Sequence, residues 1–196
     1  MLRRRFLRLS LALVAAGWLA GCTAPQTLQL DPKRSAAVPA AGNGQAVTVI
    51  AADGRDGEVI GTRTGSAMST ATITVHAHEL MPKLQREAER AVREMGFTPT
   101  TQRAEGRPHL TLTLDHLGYE RGKSRPVIGE SRLEAVFVAE ATNGGTTYTG
   151  TYTSRRTQSY AVRPDKESNT RMVNDLLVDG LNRAFRDPEL GRLLAR

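Results

Sequence analysis

Hydrophobic positions along this chain follow two rhythms. From residue 46 to 75 they form short β-branched runs: Val47-Thr48-Val49-Ile50-Ala51, Val59 to Thr64 and Ala71 to Val75. Runs of this kind, bounded by turn residues, predict strands. Asp53-Gly54-Arg55-Asp56-Gly57 supplies one turn, and Gly65-Ser66 lies in the next connection. The period then lengthens. Leu80, Leu84, Ala88, Ala91, Val92 and Met95 recur every three or four residues, which predicts a helix from about His78 to Met95 with Gly96 as its stop. Alternation returns at Leu110, Leu112 and Leu114, and again at Leu133, Ala135, Phe137 and Ala139 within a strand from Arg132 to Ala141. A third alternating stretch, Thr146 to Ser154, puts Tyr148 and Tyr152 inward and Thr147, Thr149, Thr151 and Thr153 outward. Asn143-Gly144-Gly145 marks a tight turn between the last two. Tyr119 to Pro126 is polar and basic and reads as a loop. Val173, Leu176, Leu177, Gly180, Leu181 and Ala184 form a second helical stripe, beginning near Ser168. Asp187-Pro188 has the form of a cap followed by proline at the first helical position, opening a short terminal helix.

Three strands, a helix, three strands and a helix predict an α+β fold. The expectation is a mainly antiparallel sheet of about six strands, with two long helices packed on one face and a short C-terminal helix.

The first 22 residues obey different rules. Arg3, Arg4, Arg5 and Arg8 form a positive stretch, and Leu9 to Trp18 an apolar one of about ten residues, too short to span a bilayer of ~30 Å. Leu19-Ala20-Gly21-Cys22 follows, an apolar residue, two small residues and a cysteine. This is the spelling of a bacterial lipobox. The small residues let a peptidase reach the Gly21–Cys22 bond, and the Cys22 sulfur is the nucleophile that takes the lipid. Residues 1–21 are thus expected to be a lipoprotein signal peptide, and Cys22 the lipidated N-terminus. Two or more acyl chains anchor stably where one does not. Thr23 and Ala24, rather than Asp, follow the cysteine, which favours the outer membrane, with the domain in the periplasm. Residues 22–45, rich in Pro, Ala, Gly and Gln, read as a flexible tether with a span of about 25–30 Å, or up to about 70 Å extended. Within it, Thr27-Leu28-Gln29-Leu30 alternates and could dock as a short strand. Residues 46–196 are the expected α+β domain.

This division changes the meaning of the composition. The chain has 196 residues and a formal net charge of +7, but four of its 27 Lys and Arg and none of its 20 Asp and Glu lie in the signal, leaving +3. A nucleic-acid partner loses its electrostatic support. The single cysteine is taken by the anchor, so the domain is held by its core without disulfides.

The candidate chemistry is sparse. Gly118-Tyr119-Glu120-Arg121-Gly122-Lys123-Ser124 resembles a phosphate loop but has three residues between its glycines instead of four, and Arg125-Pro126 follows in place of a helix. No nucleotide or other cofactor is expected. His76 and His78 stand two apart beside Glu79, and a metal would need a third ligand such as His109 or His116, which nothing fixes in place; no metal site is expected. Serines and histidines do not gather into a catalytic set, so no catalytic residue and no enzyme activity are expected. Glu130, Glu134 and Glu140 read as charges of an exposed strand face. Two surface candidates remain: Asp53 with Arg55, a polar site whose ordinary role would be to structure its turn, and Arg121, Lys123 and Arg125, a basic cluster able to meet an anionic surface. Arg155 and Arg156 would share its end of the sheet if the strands form a meander.

In this order of parts the chain resembles the YajG family of bacterial lipoproteins. The resemblance rests on the lipobox Leu19–Cys22, the Pro-containing tether and the first strand with its Asp53-x-Arg55 turn. It continues with the helix end Arg93-Glu94-Met95-Gly96-Phe97, the Leu110/Leu112/Leu114 strand, the Asn-Gly turn and the closing helix. It implies an outer-membrane lipoprotein with a periplasmic α+β domain and no catalytic residues, leaving Cys22 as the residue that carries over. The function expected is that of a non-enzymatic interaction module contacting an envelope protein. The alternative is a ligand-binding accessory lipoprotein for transport or cell-wall metabolism.

Overall fold

A computed structural model describes residues 24–63, 69–122 and 129–196. The signal, Gly21 and Cys22, the Gly65-Ser66 connection, Lys123 and Arg125 lie outside the described residues. Eight strands form one sheet: β1 (Gln26–Thr27), β2 (Ala46–Asp53), β3 (Val59–Thr62), β4 (Thr72–Thr74), β5 (Thr98–Thr100), β6 (His109–Arg121), β7 (Gly129–Asn143) and β8 (Thr146–Tyr160). Among the described residues three helices accompany them: α1 (Ala77–Glu94), α2 (Lys166–Phe185) and α3 (Pro188–Leu194).

The fold is α+β, but the sheet is mixed rather than mainly antiparallel. Among the described residues four of seven strand pairings are parallel: β1 with β4, β2 with β5, β2 with β6 and β3 with β6. The reason is the helical crossover. The chain leaves β2, passes through β3, β4 and α1, and re-enters beside β2 in the same direction. The antiparallel pairings are β3 with β4 and the meander β6–β7–β8, where β7 and β8 stay in register over all fifteen residue pairs. Their turn has positive φ at both central residues, Gly144 (55°) and Gly145 (79°), the hairpin geometry that matches strand twist.

β6 is the axis of the sheet. One edge pairs with β7 throughout; the other is divided, with β2 along His109–Leu114 and β3 at Tyr119. The expected loop from Tyr119 is instead strand as far as Arg121. A register shift between Leu114 and His116 moves the inward positions from even to odd numbers, so Leu117 and Tyr119 continue the core that Leu110, Leu112 and Leu114 begin. The core-facing side of the sheet, with Val47, Val49, Phe137 and Ala139, is covered by the helices through Leu84, Ala88, Leu176, Leu177 and Phe185.

Residues 24–45 are not a tether. Gln26, Leu28, Leu30, Pro32 and Arg34 are buried in strict alternation. They form an extended strap along α1 and α2, held by side chains of both. The Asp31 amide donates to Asn174 (2.9 Å), the Arg34 amide to Glu87 (2.8 Å), and the Ser35 and Ala36 amides share the Asn182 oxygen (3.1 and 3.0 Å). The Arg34 guanidinium is buried beside Phe185 and pairs with Glu94. The Ala41 and Gly42 amides close on the Met95 carbonyl, both at 2.9 Å. The buried positions repeat every second residue from Gln26 to Arg34, which the Pro-, Ala- and Gly-rich composition conceals.

Candidate functional site

The fork where β2 and β3 diverge from β6 gathers Asp53, Arg55, His76 and His78. At the end of β2, Arg55 grips Asp53 with two parallel bonds, Nε to Oδ1 at 2.8 Å and Nη2 to Oδ2 at 2.7 Å, while its Nη1 donates to the Val75 carbonyl at 3.2 Å. The Arg55 side chain is only 3% exposed. Its hydrogen bond holds the Asp53 carboxyl below its usual range, against the opposing effect of burial. Asp53 and Arg55 therefore come together as expected, but their bonding capacity is turned on each other and on the backbone. The pair ties the β2 turn to the end of β4.

Beside it stands a second cluster. Helix α1 begins after His76, whose side chain makes no capping bond. Glu58 replaces that cap from across the fork: its Oε1 accepts the Ala77 amide at 2.7 Å and its Oε2 meets His76 Nδ1 at 2.8 Å. The His76 bond, then the Ala77 amide, keep the Glu58 carboxyl below its ordinary value. The His76 and His78 rings stack with centroids 5.3 Å apart. One ligand atom each from Glu58, His76 and His78 falls within 4.8 Å of the others. Two imidazoles and a carboxylate are a donor set that can hold Zn²⁺ with an open position. The third donor is thus Glu58, not His109 or His116, and its signal in the sequence was an acidic residue just after a turn, too common to single out.

The open face of the meander is polar. His116, Glu120, Arg132, Glu134 and Arg155 line a shallow concavity of about 360 Å³. Glu134 and Arg155 pair across it at 2.6 Å, and Arg132 reaches Glu130 at 2.9 Å. Arg121 lies at the same end of the meander as Arg155 and Arg156, as that topology requires. Arg156 faces the helices and pairs with Asp175 at 2.9 Å. Gly118 to Arg121 belong to β6, so the glycine-rich stretch begins as strand. On the helix side, one cluster had no clear sequence signal: the Tyr148 and Tyr152 hydroxyls both donate to Asp187 Oδ2, at 2.6 and 2.7 Å.

The chain is therefore a mixed-sheet α+β protein with no described helix long and apolar enough to cross a membrane. It belongs to the uncharacterised-lipoprotein family Lipoprotein_16, whose sequence profile matches residues 32–195. The resemblance to a bacterial lipoprotein family is borne out at that level. No curated protein matches significantly. Among solved structures, protein XCC0632 from Xanthomonas campestris has 13% identity and a TM-score of 0.53, covering 82% of this chain and 91% of its own. That likeness shows a shared fold. A minor lipoprotein from Acinetobacter baumannii aligns at 10% identity and a TM-score of 0.39, over 77% of this chain and 90% of its own.

Proposed function

We propose that this protein is a lipid-anchored, non-enzymatic interaction module of the bacterial envelope, held through Cys22 in the outer membrane with its domain in the periplasm. The observation that carries the interaction role is β8. It pairs with β7 alone among the described residues, leaving an outer edge fifteen residues long. At about 3.3 Å per residue, that is a row of backbone donors and acceptors ~50 Å long. Natural edges are usually short or guarded by charged side chains and proline; Thr146–Ser154 contains neither. An envelope protein adding a strand here would satisfy the edge, with the exposed Thr147, Thr149 and Thr151 giving it side-chain contacts.

The test is in-cell photo-crosslinking from Thr151, with a second probe at Arg86 on α1, in the wild-type and Cys22→Ser proteins. One discrete partner captured from Thr151, absent at Arg86 and lost without Cys22, supports the reading. An acylated, well-expressed protein that captures nothing from Thr151 overturns it.

The concavity around His116, Arg132 and Arg155 favours a second reading, an accessory lipoprotein that binds a small polar ligand on the open face. Ligand-induced protection of Glu134 and Arg155, without any β8 crosslink, would select it.

A further inference from the structure

The packed strap changes where the domain sits. On the lipid-anchor reading, which this inference requires, only Thr23 separates Cys22 from the first described residue, Ala24. Two peptide units reach at most about 7 Å, not the tens of ångströms expected of a tether. Ala24 itself is held: its carbonyl accepts from Arg63 Nη1 at 3.3 Å. Two residues on, Gln26 is buried in β1, its side-chain amide 2.7 Å from that of Asn169 in the first turns of α2 and facing the Lys166 amide at 3.2 Å. The lipid therefore emerges against one fixed end of the domain, made by β1, the end of β6, the β8–α2 loop and the start of α2.

That end has the surface of an interfacial contact. Val162, in the β8–α2 loop, is 82% exposed, more than any other large hydrophobic side chain among the described residues. Val162 and Pro164 rim a groove with Tyr160 and Met172. Arg163 and Lys166 flank them and are exposed. Of the acids in the same stretch, Asp165 caps α2 through the Ser168 amide, and Glu167 pairs with Arg171. An apolar side chain among cations, at the end of the domain where the anchor emerges, matches a headgroup layer bearing phosphate charge.

We propose that this end rests on anionic phospholipid headgroups of the membrane that holds the anchor, with Val162 in the interfacial layer and Arg163 and Lys166 over phosphates. The Tyr160 end of β8 then lies at the membrane, and the open edge runs away from it to Thr146, about 45 Å along the strand.

The acylated chain in phosphatidylethanolamine–phosphatidylglycerol vesicles (3:1) tests this. With Cys22 acylated, Val162→Cys and Thr146→Cys each give a single labelling site for a fluorophore, read by headgroup-attached quenchers. The expected result is strong quenching at position 162 and at least fivefold less at 146. Charge reversal by Arg163→Glu with Lys166→Glu is expected to cut quenching at 162 several-fold in these vesicles and to leave it unchanged in pure phosphatidylcholine. Protein that floats with the vesicles but quenches equally at both positions overturns the orientation and leaves the anchor standing. Charge reversal without effect overturns the anionic contact. Binding to purified cell-wall sacculi that depends on Arg163 and Lys166, without quenching at 162, overturns it in favour of peptidoglycan. Protein that carries no acyl mass and does not float overturns the anchor itself.

Discussion

Tyr152 on the edge strand donates its hydroxyl to Asp187 Oδ2 at 2.7 Å, fastening the terminal helix to the sheet. Asp187 serves twice. Its other oxygen accepts the Glu189 amide at 2.9 Å and caps α3, which starts with Pro188. Tyr148 adds a second hydroxyl to the same Oδ2. Replacing Asp187 with Ala removes the cap and strands both hydroxyls, so a loss of about 3 kcal/mol in urea unfolding is expected. Tyr152→Phe removes one charge-assisted bond and is expected to cost about 1–2 kcal/mol.

The same cluster fixes a pH dependence on both flanks. Burial pushes the Asp187 carboxyl up, but the two tyrosine hydroxyls and the Glu189 amide outweigh it, leaving its pKa below the ordinary 3.8. A lowered carboxyl pKa contributes stability that is full above the unfolded value and is lost as pH falls through the folded one. Burial, then the Asp187 bond, raises the pKa of Tyr152 above 10.0. That contribution is full below pH 10 and is lost as pH rises beyond it. Unfolding midpoints measured from pH 2 to 5 and from 9 to 12 should therefore fall at both ends. Asp187→Asn should flatten both slopes.

The strap gives the sharpest contrast with a tether. Leu30 is 2% exposed. Leu30→Ala should cost about 2–4 kcal/mol, whereas a substitution in a free linker stays within about 0.5 kcal/mol. Arg34→Ala, which removes a buried guanidinium and leaves the half-exposed Glu94 to water, should cost about 2 kcal/mol. A chain begun at Ala46 should not show a cooperative unfolding transition.

What the sequence made legible followed from unbroken periods. The stripe of α1 and the alternation of β7 and β8 extend over enough residues to be read without tertiary information. Legibility failed where one residue interrupts a period. The shift after Leu114 inverts the phase of β6 and disguises Tyr119 as loop. In the strap, Pro32 and Arg34 occupy buried positions that pattern reading assigns to solvent, because their neighbours come from α1 and α2, remote in sequence. The fork was half legible. Asp53 and Arg55 are two residues apart, so their pairing is local, whereas Glu58 meets His76 only because β3 and β4 bring the chain back after 18 residues.

Glu58 tests that fork. It supplies the side-chain cap that His76 does not, so Glu58→Ala should lower the thermal midpoint and loosen the first turn of α1. Faster hydrogen exchange at Ala77 and His78 would show it. Because the Glu58 pKa is lowered from 4.5, its contribution is full above that value and lost as pH falls through the folded one. The difference between wild type and variant should shrink toward pH 3. A gap that persists there would mean that packing, not the carboxylate, is the cause.

The far end of α1 joins helix and strap through one glycine. Gly96 has φ 96°, its amide donates to Arg93 at 3.0 Å, and the Phe97 amide donates to Val92 at 3.2 Å. These two bonds and the left-handed residue are the Schellman helix end, which favours glycine. A β-carbon added at Gly96 would stand 2.6 Å from the Gly42 carbonyl oxygen. That atom cannot retreat freely, because the Gly42 amide is bonded to Met95 and the Gly44 amide to Gly96 itself, at 2.9 and 2.7 Å. The left-handed conformation alone costs an L-residue about 1 kcal/mol. Gly96→Ala should therefore exceed that, at about 2–3 kcal/mol in urea unfolding, and should also raise hydrogen exchange at Ala41 and Gly42. A cost near 1 kcal/mol with the strap amides still protected would show that the strap moves aside without loss, and that its hold on α1 lies at Arg34 instead.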